Sequence, residues 1–228
     1  SAIEELLRHY PQLSTQCLAA IISRMRVLVE HLNAIPDTGR GIEQEQIYLL
    51  QRMCALLMSI ETMLLRKPLT SEFIAMDGLT VLFNVLHCAF KPSKYTLTSL
   101  CCHFDFSTPL GYPPLVKSVS RCMGYMYERD IQGLFPKLLR EVGAALTRTK
   151  EDLKDYCCLI GKDVSFDMII DTLPRIPLHI YNDNCLTTEL LSYAKFAQSF
   201  LLYDVLVDSF SACLYTLMVR EKSTLANS

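Results

Sequence analysis

The sequence predicts an all-α fold. Three observations carry that expectation: apolar residues recur at three- and four-residue spacing along most of the chain, proline and glycine fall between those runs, and no two segments alternate like facing strands. Half of the 228 residues are hydrophobic and 20% are charged. That much apolar surface offsets the ordering entropy of one helical unit spanning residues 1–228, either a bundle or a short solenoid. The periodicity divides into eight to ten helices.

The first helix is expected over residues 2–9, stopping at Tyr10-Pro11 because proline disfavours helical geometry in the residue before it. Ser14 is the expected N-cap of the second, whose stripe runs through Cys17, Leu18, Ile21, Ile22, Met25, Leu28, Val29 and Leu32. Pro36, Gly39 and Gly41 mark a loop. A long helix follows over residues 43–66, with Ile47, Leu50, Cys54, Leu57, Met58, Met63 and Leu64 on its apolar side, and Lys67-Pro68 is expected to end it. Thr70 or Ser71 then caps a short segment over residues 72–76. Asp77-Gly78 breaks the chain before Leu79, Val81, Leu82, Val85 and Leu86 resume, with Gly78 expected to take a left-handed turn.

Residues 91–114 contain Pro92, Pro109, Gly111, Pro113 and Pro114 and read as irregular. Pro114 opens a further helix, Leu115, Val119, Cys122, Met123 and Met126 form its buried side, and it is expected to end near Arg129. Asp130 caps the next, with Leu134, Leu138, Leu139, Val142 and Leu146, although Gly133 and Pro136 restrict its firm part to later turns. Thr149-Lys150-Glu151-Asp152 has the residue types of a capping box, so another helix is expected there, ending at Gly161. Pro174 and Pro177 make residues 174–181 extended. Two final helices are expected, one through Leu190, Leu191, Ala194, Ala197 and Leu201, the other after Tyr203-Asp204 through Leu206, Phe210, Cys213, Leu214 and Leu217.

The run Cys54-Ala55-Leu56-Leu57-Met58, followed by Phe73-Ile74-Ala75-Met76-Asp77-Gly78-Leu79-Thr80-Val81-Leu82, resembles the armadillo/HEAT helical-repeat family. The likeness is to a long packing helix, a short link and a Phe-x-x-x-Gly-Gly-Ile-x-x-Leu restart, and it covers about a quarter of the chain. It implies an irregular stack of helices used to hold protein partners. Asp77 stands where that pattern has a second glycine or alanine. The chain has no Trp, so the Trp and Asn ladder of the peptide-binding members is not implied.

Charge and motifs narrow the function classes. A formal charge of −2 supplies no global field for nucleic acid or an anionic membrane. The longest uncharged runs, residues 79–90 and 209–219, reach about a dozen residues where a span takes about 20, so no membrane helix is expected. Serine rather than methionine begins the chain, which therefore reads as a piece of a larger protein. The ten cysteines lie mostly within apolar helical patterns, which fits reduced, buried thiols of an intracellular, cytoplasmic or nuclear protein better than a disulfide framework. No Cys-x-x-Cys spacing supports zinc, and Cys101-Cys102-His103 is the nearest approach to a ligand cluster. Phosphate-binding, dinucleotide, zinc-hydrolase and serine-hydrolase motifs are all missing. No catalysis, metal or cofactor is expected.

The most interpretable polar surface follows Pro114, where Lys117, Arg121, Tyr125 and Glu128 recur every three or four residues. Lys137 and Arg140, with Arg148 and Lys150 beyond, extend it as a basic ridge suited to an acidic peptide or phosphate. Glu128, Glu141 and Glu151 intersperse it and disfavour nucleic acid. The function expected is an interaction scaffold that holds a partner helix or peptide, or a second copy, in a groove between helices. Nine methionines suit such an adaptable apolar surface. The alternative is a helical nucleic-acid or phospho-ligand binder that uses the ridge.

Overall fold

The computed structural model describes residues 11–35, 42–90, 113–159, 161 and 188–226. Among them there are six helices and no strand: α1 (Pro11–Ala34), α2 (Ile42–Leu64), α3 (Lys67–Ala75), α4 (Gly78–Ala89), α5 (Pro113–Leu159) and α6 (Thr188–Ala226). The all-α expectation holds. The helix expected over residues 2–9 and the irregular stretches at 36–41, 91–112 and 174–181 lie outside the described residues.

α1 starts one turn earlier than expected, because Pro11 can occupy the first helical position, where an N–H has no partner to lose. Ser14 is therefore a buried helix residue and not the N-cap. Leu18, Ile22, Met25, Leu28 and Leu32 form the buried stripe, while Cys17 is exposed. α2 buries Leu49, Met53, Leu57, Ile60, Met63 and Leu64. This seam is rotated from the expected one: Leu50 and Cys54 are only partly buried, and Met58 is 61% exposed. The helix is apolar on two adjacent faces, so periodicity alone leaves its orientation open.

Lys67-Pro68 opens a helix where a stop was expected. α2 already ends at Leu64, Arg66 takes extended geometry (φ −98°, ψ 113°), and Pro68 falls in the first turn of α3, the place where proline is tolerated. Thr70 is buried and no cap; its hydroxyl donates to the Leu64 carbonyl at 2.8 Å. α3 and α4 then meet at a bend of 77°. The left-handed residue of that bend is Asp77 (φ 60°), not Gly78. A short polar side chain tolerates this region, and Lys137 of α5 donates to the Asp77 carboxylate at 2.7 Å. Gly78 is needed for a different reason. A Cβ there would stand 2.5 Å from the Phe73 ring, so the glycine lets α4 start directly against the aromatic side chain of α3. α4 is buried nearly all round, with Thr80, Asn84 and His87 making its one narrow polar stripe.

α5 runs 47 residues with one non-helical residue, Asp130 (φ −143°, ψ 73°). The boundary expected at Arg129 and Asp130 is thus present: the Asp130 carboxylate accepts from the Gly133 N–H at 3.0 Å, as an N-cap does. Helix continues through Pro136. Thr149 starts nothing. It is buried mid-helix, and its hydroxyl lies 2.8 Å from the Ala145 carbonyl and 3.0 Å from that of Ser199 in α6. The helix ends before Gly161, which takes φ +66° and donates to the Cys158 carbonyl at 3.4 Å. Gly supports this left-handed close because it has no Cβ. α6 is one 39-residue helix instead of the expected two, since Tyr203-Asp204 contains neither proline nor glycine to interrupt it.

α1 packs on α2, α3 and α4, while α2, α3 and α4 pack on α5, and one continuous core joins them. α6 lies on the far side and rests mainly on α5. Glu128 faces Arg220, Phe135 stacks on Phe210 at 5.0 Å, and Thr149 meets Ser199, so the two long helices run antiparallel.

Candidate interaction surfaces

The residues expected to form the basic ridge all lie on α5, but the break at Asp130 resets the helical register between them. Lys117, Arg121, Tyr125 and Glu128 precede it; Lys137 and Arg140 follow it. Lys117, Arg121 and Arg140 are exposed as the helical projection implies, whereas Tyr125 is half-buried against the core. Two of these four cations meet carboxylates of neighbouring elements: Arg121 pairs with Glu61 of α2 at 3.0 Å, and Lys137 with Asp77 at 2.7 Å. Both pairs are partly exposed, so each contributes only about 0–1 kcal/mol to stability. Their effect on recognition is larger, because much of the positive charge is already balanced within the fold. Arg129 likewise donates to the Ser71 hydroxyl at 2.6 Å.

The apolar surfaces show a second pattern, one that periodicity does not isolate. On α6, Leu214, Tyr215, Met218 and Val219 are exposed, Tyr215 by 70% and Met218 by 57%, while Cys213 between α6 and α5 is fully buried. Positions i, i+1, i+4 and i+5 share one side of a helix, so these four make a stripe facing away from α5. On α2, Tyr48, Met58 and Leu65 just beyond its end are exposed too, and Arg52 lies over the Tyr48 ring at 5.5 Å. Leu214 was expected among the core positions. The signal that separates it from Cys213 is one of neighbours rather than of residue type.

No family model matches this chain, and no curated protein or solved structure matches it.

By length and composition, the segments Glu45–Leu64 and Lys195–Thr224 are apolar enough to cross a membrane, with mean hydropathies of 1.3 and 1.4. Uncharged runs alone do not reveal them, because each helix carries a few charges within a long apolar context. Burial pushes the Cys122 thiol up to about 12 and raises Cys54 and Cys213, the direction opposite to an activated thiolate. None of the seven cysteines among the described residues is in a disulfide, and Cys158, like Cys17, is exposed where burial was expected. Among the described residues no three His, Cys, Asp or Glu side chains come together to hold a metal. Cys101, Cys102 and His103 lie outside the described residues.

Proposed function

We propose that this chain is an intracellular protein-interaction domain, cytoplasmic or nuclear, that holds an apolar helix of a protein partner against the distal half of α6. The observation that carries the reading is the stripe of Leu214, Tyr215, Met218 and Val219, exposed together on a helix supported from one side. Large apolar side chains gathered on one helix face, with Tyr and Met among them, are the usual material of helix-on-helix recognition. The basic ridge plays a secondary part, with Lys117 and Arg140 the cations best placed to meet acidic residues of the partner, and Arg121, Tyr125 and Lys137 supporting the fold. The armadillo/HEAT-like architecture fits the same role. A phospho-ligand or nucleic-acid reading draws less support, because Arg121 and Lys137 face Glu61 and Asp77.

Photocrosslinking in cells tests the assignment. A benzophenone amino acid at Tyr215 is expected to trap one defined protein, and the same group at Arg140 to trap little. Crosslinks from Arg140 alone would move the interface to the ridge, and a lipid adduct at Tyr215 would replace a protein partner with a membrane.

A further inference from the structure

The outward face of α6 is a line of side chains with opposite charge at its two ends. Its inward side is fixed by Leu206, Ser209 and Cys213, all buried. At about 100° per residue, Asp204, Asp208, Ser211, Tyr215, Met218 and Lys222 fall within about 40° of the direction opposite Cys213. All six are exposed. The line is acidic at Asp204 and Asp208, small at Ser211 and its exposed neighbour Ala212, apolar at Tyr215, Met218 and Val219, and basic at Lys222. Its charges lack complements within the chain. Asp204 and Asp208 stand one turn apart, and neither forms an ion pair among the described residues. Partial burial and the Asp208 charge raise the Asp204 carboxyl above its ordinary value, as a neighbouring like charge does. Lys222 forms no ion pair among the described residues either, while Arg220 turns back to donate to the Glu128 carbonyl of α5.

Such a face is its own complement when reversed. An antiparallel pair of α6 helices about a two-fold axis near residue 214 sets Lys222 of each copy between Asp204 and Asp208 of the other. The same register lays Tyr215 over Ser211 and Ala212, whose small side chains leave room for the ring. A parallel pair would instead oppose like charges at both ends. We propose that the partner of this face is a second copy of the chain, bound α6 to α6 in that antiparallel register. The proposal rests on the reading of the distal α6 stripe as a protein-binding face. A membrane is a poorer occupant, because Asp208 lies near the middle of the apolar segment Lys195–Thr224 and in line with the stripe, so insertion would carry two carboxylates into hydrocarbon. The paired length from Asp204 to Lys222 is about 27 Å. One helix pair of that length buries less than the ~1,200 Å2 of a stable complex, so the chain is monomeric at micromolar concentration and pairs reversibly toward millimolar.

Sedimentation velocity of the full chain in low salt, from micromolar to millimolar concentration, tests this. The wild type is expected to pass from monomer to dimer across that range. Lys222→Asp sets a third carboxylate beside Asp204 and Asp208 of the other copy, twice per dimer, and is expected to raise the dissociation constant at least about tenfold. Adding Asp204→Lys and Asp208→Lys to the same chain reverses both ends of the line and is expected to restore the wild-type value. A parallel pair would show neither the loss nor the rescue, since like would face like in every variant. All three positions are exposed, so the fold is expected to survive. Should the reversed chain not fold, Tyr215→Ser with Met218→Ser is expected to stay monomeric up to millimolar concentration. A chain that is monomeric throughout, a dimer indifferent to Lys222→Asp, or a loss that the reversed chain does not rescue overturns the pairing. In each of those cases a crosslink from Tyr215 to a different protein leaves the proposed function standing, and flotation with vesicles of phosphatidylcholine and phosphatidylserine moves the face to a lipid surface.

Discussion

Residues 79–90 in and just after α4 and 209–219 in α6 are both uncharged runs of about a dozen residues, yet the fold treats them in opposite ways. α4 is enclosed by α1, α3 and α5, and nine of its twelve residues are buried. The run in α6 has one principal neighbour, α5, which covers Ser209 and Cys213 and leaves Leu214, Tyr215, Met218 and Val219 exposed. Apolar composition thus sets how much surface needs covering, and the number of flanking helices decides how much is covered. Only the second case leaves a helix face available to another molecule.

The comparison breaks most visibly at matched core truncations. Phe73→Ala removes a fully buried ring from the layer of α1 to α4 and is expected to cost about 3–5 kcal/mol, whereas Leu206→Ala, buried only between α6 and its support, is expected to cost about 2 kcal/mol. Equal losses in urea unfolding would mean that α6 belongs to the core as fully as α3 does.

Gly78→Val sharpens the account of the α3–α4 bend. Its Cβ would overlap the Phe73 ring, so a loss of about 1–3 kcal/mol and a lower melting temperature are expected from overpacking. Combining it with Phe73→Ala should recover part of that loss, because the colliding ring is gone; strict additivity would locate the strain in the backbone instead.

Replacing both Tyr215 and Met218 with serine probes the exposed side of the comparison. Stability is expected to stay within about 0.5 kcal/mol per site, since neither side chain is enclosed. A large loss of stability in a thermal melt would show that the stripe is packed in solution.

The smallest expected effect concerns the pair that pins the bend to α5. The hydrogen bond from Lys137 holds the Asp77 carboxyl below the usual carboxylate range. Because the folded value lies under the unfolded one, the stabilisation is complete above about pH 4 and fades as pH falls through the depressed value. Both side chains are close to half exposed, so Lys137→Met is expected to cost only a few tenths of a kcal/mol at pH 7. The gap from wild type should close in acid; a gap that is constant with pH would assign the effect to the lysine stem packing.

Several features are legible in the sequence because they are local. Proline at the head of α5, the Asp130 cap, the glycine that closes α5 and the break at Asp77-Gly78 each depend on the geometry of a few adjacent residues. Two local readings fail for equally local reasons: Lys67-Pro68 serves a helix start as well as a stop, and Thr149 has a capping residue's chemistry but spends its hydroxyl within and between helices. For the surfaces, the exposure of Lys117, Arg121 and Arg140 follows from the helical projection. The carboxylates facing Arg121 and Lys137 come from about 60 positions earlier in the chain, a separation that no local pattern reports.

By itself the sequence determined the all-α class, the buried stripe of α1 and the positions of these turns, because backbone sterics and helical period act over a few residues. Tertiary structure decided which side of α2 faces inward, that Asp77 rather than Gly78 takes the left-handed turn, and that Cys213 is buried while Tyr215 is not. Those outcomes follow from which helices stand next to one another, and identical apolar side chains are enclosed or exposed according to that arrangement alone.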